Sequence, residues 1–293
     1  MMRGLVPRSS LPLMSLHISR RVGVTAVAAL VAATLGGAGI GYAASSATAE
    51  PAIKTSTPRS EKDVTNIDVL RQQLRNYYGD PLGSGTFGRD SNYAREATSV
   101  AASGERYLSR PHHVGRTRAI VLDVDDTTLA TWNYEVFSNW AYNPATNATF
   151  VTEQRFPAVP GMVRTVRTAE REGYAIFFLT GRPAAQEAAT LGNLTEDGVG
   201  VDADYPKPTT LRGGEDGLFT KPAVADYPDY LKTTCAGDPN CSCTTVHYKS
   251  ATRAHIESLG YDIVANFGDQ FSDLRGGYAD RTFKLPNPNY FLP

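Results

Sequence analysis

The segment Ala119-Ile120-Val121-Leu122-Asp123-Val124-Asp125-Asp126-Thr127 joins four consecutive apolar residues to three carboxyl groups and a hydroxyl. A short apolar run that breaks abruptly into acids reads as a buried strand reaching its carboxyl end. Outward from it, from Arg116 onward, similar runs alternate with helical patterns. Strands are predicted over 119–122, 174–179, 244–248, 262–267 and 282–285, and helices over 161–172, 183–194 and 250–259, the last ending at Gly260. Alternation of this kind predicts an α/β fold with a mostly parallel sheet covered by helices on both faces. In such sheets ligands bind at the carboxyl ends of the strands.

The residues just past each apolar run are therefore informative. Asp123 to Thr127 stand after the first, Thr180-Gly181-Arg182 after the second, Lys249 after the third, and Gly268-Asp269-Gln270-Phe271-Ser272-Asp273 after the fourth. Converging on one point, these groups form a phosphoryl-transfer set: one Asp for covalent attack, a second for proton transfer, Thr and Lys for phosphoryl oxygens. A phosphate dianion beside several carboxylates is repelled by each with about 4 kcal/mol for unit charges 4 Å apart at an effective dielectric of ~20, so the site requires a cation. All-oxygen ligands point to Mg²⁺.

The DxDxT core at Asp123–Thr127, the strand ending in Thr180, the isolated Lys249 and the GDxxxD segment, in this order, resemble the phosphatases of the haloacid-dehalogenase (HAD) superfamily. Phe177-Phe178-Leu179-Thr180-Gly181-Arg182 and Lys284-Leu285-Pro286-Asn287-Pro288-Asn289-Tyr290 are similar to a narrower group, the acid phosphatases that include plant vegetative storage proteins and bacterial class B and C enzymes. The resemblance covers roughly residue 61 to the carboxyl end. It implies a HAD-type Rossmann-like sheet with a small cap insertion, and hydrolysis of small phosphomonoesters through a phospho-aspartate. By the resemblance, Asp123 is the nucleophile and Asp125 the general acid/base. Thr180, Gly181 and Lys249 bind the phosphoryl group. Magnesium is held by the Asp123 carboxylate, the Asp125 backbone carbonyl and Asp269, with Asp273 direct or through water. Two positions depart from the relatives: Asp126 stands where they often have Glu, and Gly181 where many have Asn. Arg182 is read as a surface or sheet-edge residue. Trp132, Tyr134, Phe137, Trp140, Tyr142 and Phe150 crowd the cap segment, where they are expected to form that insertion's own small core.

The amino end has a different composition. Ser19-Arg20-Arg21, the Ala/Gly/Val-rich run 22–44 and Ala47-Thr48-Ala49 read as a secretory signal over 1–49, cleaved after Ala49 or Ala44. The Arg pair leaves twin-arginine and general secretory export open, and an uncleaved anchor is the alternative, since the run reaches the ~20 residues of a span. Residues 1–13 read as an upstream extension. A Thr/Ser/Pro-rich linker (50–62), an amino-terminal helical segment (63–115) with helices at 67–78 and 91–108, and a phosphatase domain (116–293) complete the organisation. In an exported protein, Cys235 pairs with Cys241 or Cys243; the rival is a zinc site completed by His247.

At 293 residues and 41% hydrophobic content the chain can bury a substantial core, and 29 basic against 30 acidic residues provide no field for a nucleic acid polymer or an anionic membrane. A receiver domain carries its acidic pair and Lys in a different order. A storage or binding protein without turnover, and a phosphotransferase, remain the alternatives on the same scaffold.

Overall fold

The computed structural model describes residues 57–112, 115–195, 200–235 and 243–292. The expected signal and most of the linker lie outside the described residues. In chain order the elements are α1 (Ile67–Tyr78), α2 (Asn92–Leu108), β1 (Thr117–Leu122), α3 (Trp132–Ser138), α4 (Pro144–Thr152), α5 (Met162–Arg171) and β2 (Ala175–Pro183). There follow α6 (Glu187–Leu194), β3 (Leu218–Lys221), α7 (Asp229–Thr234), α8 (Thr245–Ser258), β4 (Tyr261–Gly268), α9 (Phe271–Leu274) and β5 (Arg281–Lys284). The five strands form one parallel sheet in the order β3-β2-β1-β4-β5. The acid-bearing β1 lies at its centre.

Side chains along β1 and β2 point alternately to the two faces. Ile120, Leu122, Ile176 and Phe178 join one core with α2, α5 and the cap insertion. Ala119, Val121, Phe177 and Leu179 join the other, with Leu231 of α7 and Tyr248, Ala251 and Ile256 of α8. Burial on both faces is why these strands read as continuous apolar runs.

The helix expected at 67–78 ends on Gly79 in the left-handed conformation (φ 67°), and Ser91 caps α2 through the Ala94 N–H. One expected strand is absent. Residues 244–248 are not a strand: Thr244 caps α8, its hydroxyl accepting from the His247 N–H (3.2 Å). The β-branched pair Thr245-Val246 favours extension, but Tyr248, Ala251, Thr252 and Ile256 are buried at helical spacing. The strand beside β2 is instead β3, four residues long.

The aromatic residues after β1 do not form a core of their own. Trp132 stacks on Tyr78 of α1 at 4.0 Å and 5°, and Tyr78 on Tyr93 of α2 at 4.3 Å. The insertion thus shares one core with the amino-terminal helices. Its polar anchor is buried Asp80, which accepts from Ser84 N and Oγ (2.8 Å each), Gly85 N (2.8 Å) and Trp132 Nε1 (3.0 Å). Burial alone raises the pKa of Asp80; the four donors outweigh it and hold the carboxyl below its ordinary value.

Cys235 and Cys243 are joined in a disulfide. That consumes two of the three sulfurs the zinc reading required. Cys241 lies outside the described residues.

Candidate active site

The carboxyl ends of β1, β2 and β4 meet the first two turns of α8 around a cavity of about 770 Å³. At the end of β1 the Asp123 N–H donates to Phe267 of β4 (3.0 Å), and the Val124 carbonyl then accepts from Thr128 and Leu129 (2.9 and 2.8 Å). This turn requires Asp126 in the left-handed region (φ 53°), which an Asp tolerates better than most residues. The buried Asp126 carboxylate accepts from the Thr131 N–H (2.9 Å) and hydroxyl (2.6 Å), tying the DxDxT segment to α3.

The second cluster is not beyond β2 but within its last residues, since β2 continues to Pro183. Thr180 and Arg182, two apart on a strand, therefore share a face, and both are buried. The Thr180 hydroxyl oxygen accepts from the Arg182 N–H (3.1 Å), leaving its own O–H free to donate. Arg182 is not the surface residue that its sequence context suggested. Its Nε lies 3.0 Å and its Nη2 2.6 Å from the two Asp125 oxygens, and its Nη1 donates to Thr190 (3.0 Å).

Lys249 comes from the second turn of α8 rather than from a strand end. Its ammonium lies 2.5 Å from Asp123 Oδ1 and 2.5 Å from Asp273 Oδ1. One turn further, Arg253 donates to the backbone carbonyls of Asp273 (2.6 Å), Arg275 and Gly277 (2.9 Å), so α8 fixes the segment that its lysine contacts. Gly268 allows Asp273 this position: a Cβ there would lie 2.4 Å from the Asp273 Cβ. Asp273 also accepts from the Gln270 N–H (2.8 Å). Asp269 accepts from Thr127 Oγ1 (3.1 Å), Gln270 Nε2 (2.6 Å) and Asn287 Nδ2 (2.7 Å).

All of the residues predicted for the site are thus brought together. Asp123, Asp125, Gly181, Lys249, Asp269 and Asp273 line the cavity, and Thr180, adjacent to Gly181 in β2, is buried and bonded to Arg182. Sequence reasoning missed Arg182, Asn287 and Glu135. The two-residue spacing from Thr180 could have indicated Arg182 had β2 been extended to Pro183. Asn287 lies within the Lys284–Tyr290 motif, but nothing in that motif marks it as a partner of Asp269, and no local signal marks Glu135.

Burial pushes Asp123 well above the ordinary carboxylate range; Lys249 opposes this, while Asp273, Asp269 and Asp125 add to it. Burial, then Asp273 and Asp126, push Asp269 up to about 7. Asp126 is likewise raised to about 7, mainly by burial, despite its bonds to Thr131. Burial would lower Lys249, but Asp123 and Asp273 raise it and keep it charged. Carboxyl oxygens of Asp123, Asp269 and Asp273 lie within 4.8 Å of one another. Hard oxygen donors clustered in this way fit a divalent cation.

The family model of HAD superfamily, subfamily IIIB (acid phosphatase), matches residues 40–293. The chain belongs to that subfamily. This IIIB protein is 29% identical to a stem 28 kDa glycoprotein of Glycine max, over 67% of this chain and 74% of the relative. It is 27% identical to acid phosphatase 1 of Solanum lycopersicum, over 59% of this chain and 58% of that one. Vegetative storage protein 1 of Arabidopsis thaliana shares 50% identity over 56 residues, 19% of this chain and 21% of that one. The fold is similar to a class C acid phosphatase from Bacillus anthracis (TM-score 0.53, 19% identity, 75% of this chain and 85% of that chain). As a IIIB acid phosphatase, the protein is a phosphomonoester hydrolase.

Proposed function

We propose that this HAD acid phosphatase is exported, depends on Mg²⁺ and works through a phospho-aspartate at Asp123. The observation that carries the reading is the Lys249 ammonium held 2.5 Å from both Asp123 and Asp273. A buried lysine there fixes the Asp123 carboxylate by one oxygen and leaves the other free of described protein donors. Mg²⁺ would be held by the Asp123 carboxylate, the Asp125 carbonyl, Asp269 and Asp273, and when bound it supplies the positive charge that admits a phosphate dianion.

Asp123 attacks phosphorus and the ester P–O bond breaks. The leaving oxygen takes its proton from Asp125, which then removes a proton from the water that hydrolyses the acyl phosphate. The Arg182 clamp aims Asp125 for both transfers. The Thr180 hydroxyl and Lys249 donate to phosphoryl oxygens, and Gly181 leaves the substrate room, because no atom lies within 4 Å of where its Cβ would be.

Export is supported by the amino-terminal pattern, by the Cys235–Cys243 bridge and by a relative named as a glycoprotein. Among the described residues no helix is long and apolar enough to cross a membrane. The mature chain is expected to begin near Glu50.

Turnover of nitrophenyl phosphate with Mg²⁺ or chelator tests the reading, with acid-quench detection of acyl phosphate. Asp123→Asn should lose all turnover and all acyl phosphate. Asp125→Asn should release nitrophenol quickly and stall as phosphoenzyme. Full activity in chelator, or in Asp123→Asn, would overturn it.

A further inference from the structure

Beside the aspartates, one carboxyl group faces the cavity without a counter-charge. Glu135, in the first turn of α3, is only 8% exposed and lines the cavity. No described residue donates a hydrogen bond or forms an ion pair with its carboxylate. The cations that share the cavity are committed elsewhere. Arg182 holds Asp125, Lys249 bridges Asp123 and Asp273, and Lys221 donates to the Cys243 carbonyl (2.9 Å). The Glu135 oxygens open onto the cavity, where a ligand rather than a protein group can meet them.

The same insertion contributes aromatic side chains to the cavity wall. Tyr134, Trp140 and Tyr142 line it. The Tyr134 hydroxyl donates to the Asn143 carbonyl (2.9 Å), and the Trp140 indole N–H to Asn289 Oδ1 (3.2 Å), so their polar edges are satisfied within the protein. Arg75 already lies 6.0 Å from the centre of the Trp140 ring, and the buried Tyr134 packs edge-on against Phe150 (5.3 Å) and Tyr142 (6.2 Å), which leaves Tyr142 as the ring open to a ligand. Tyr142 is 72% exposed. An unpaired carboxylate and an exposed aromatic ring lining one cavity are the chemistry that selects an organic ammonium ion, by charge and by cation–π attraction together.

We propose that this corner of the cavity recognises an ammonium group, so that the preferred substrates are phosphomonoesters of small amino alcohols. The inference rests on the phosphatase reading and names its substrate class. In the reaction the ester P–O bond breaks, the amino alcohol leaves with the proton from Asp125, and water supplies the oxygen of the released phosphate. The ammonium keeps its charge throughout and takes no part in the chemistry. Leaving groups that carry an additional anion are repelled by Glu135 and Asp125.

The test compares kcat/KM for phosphocholine with that for the isosteric neutral ester in which carbon replaces the quaternary nitrogen. Wild-type protein should prefer the cationic ester by about tenfold. In Glu135→Gln that ratio should fall to near one, and because both esters are measured on the same preparation, any general loss of activity cancels. Calorimetric binding of choline alone, weakened in Glu135→Gln, reads the site without turnover. Choline binding by a protein that hydrolyses no ester would sink the phosphatase reading and the substrate class with it, and leave the ammonium site standing. Turnover without preference for the cation, or an unchanged ratio in Glu135→Gln, would overturn the inference.

Discussion

Arg182 engages both oxygens of Asp125 with a single planar guanidinium, a geometry that fixes direction as well as distance. Lysine is a point charge and cannot reproduce it. Arg182→Lys should therefore lower kcat by about a hundredfold, the usual penalty for misplacing a reacting group by about 1 Å, with a much smaller change in KM. Steady-state kinetics on a poor leaving group would read this, with a melting curve to verify the fold. Arg182 also marks the limit of what single residues disclose. Asp123, Asp125, Asp269 and Asp273 were legible because carboxyl groups set directly after apolar runs are costly to bury for packing alone. An arginine near a strand end sits just as well in solvent, and only the length of β2 reveals that it points at Asp125.

Elements were legible where periodicity and caps agreed, as in α1 with Gly79 and α2 with Ser91. They were not where local preference opposed packing. Thr244 to Tyr248 combine two Thr and a Val, a strand composition, yet the Thr244 cap and the buried stripe of α8 prevail. The short β3 carries too few residues for any pattern to emerge. The same contest between propensity and packing predicts the effect of one substitution in α2. Gly104→Ala should gain up to about 1 kcal/mol of helix preference. The new methyl, however, would lie 2.5 Å from the buried Phe267 ring, which is stacked on Phe283 at 4.7 Å. Overpacking of this kind costs about 1–3 kcal/mol, so chemical denaturation should show a net loss. A stabilised variant would mean that α2 can move away from β4 freely.

For the whole molecule, the crowded acids couple stability to pH and metal. In the metal-free protein Asp126, Asp269 and Glu135 are each raised to about 7, whereas unfolded carboxyls titrate near ~4. Across that window the folded chain binds more protons than the unfolded one, so this contribution grows as pH falls and is lost as pH rises through about 7. Chelator-treated protein should therefore melt higher at about pH 5 than at about pH 7.5, and added Mg²⁺ should raise Tm more at the higher pH, where fewer protons must be displaced. The opposite order would place the charge deficit elsewhere. Near the carboxyl end, Asn287 holds Asp269 and Asn289 donates to the Tyr78 hydroxyl of α1 (2.9 Å). The carboxyl-terminal segment thus ties the site to the amino-terminal helix α1. During synthesis Asp123 emerges well before Lys249, Asp273 and Asn287, which arrive only with the later residues. A chain still short of its last residues therefore carries Asp123 without the ammonium and amide groups that gather around it, and the site closes only when that segment has docked at the end of the sheet.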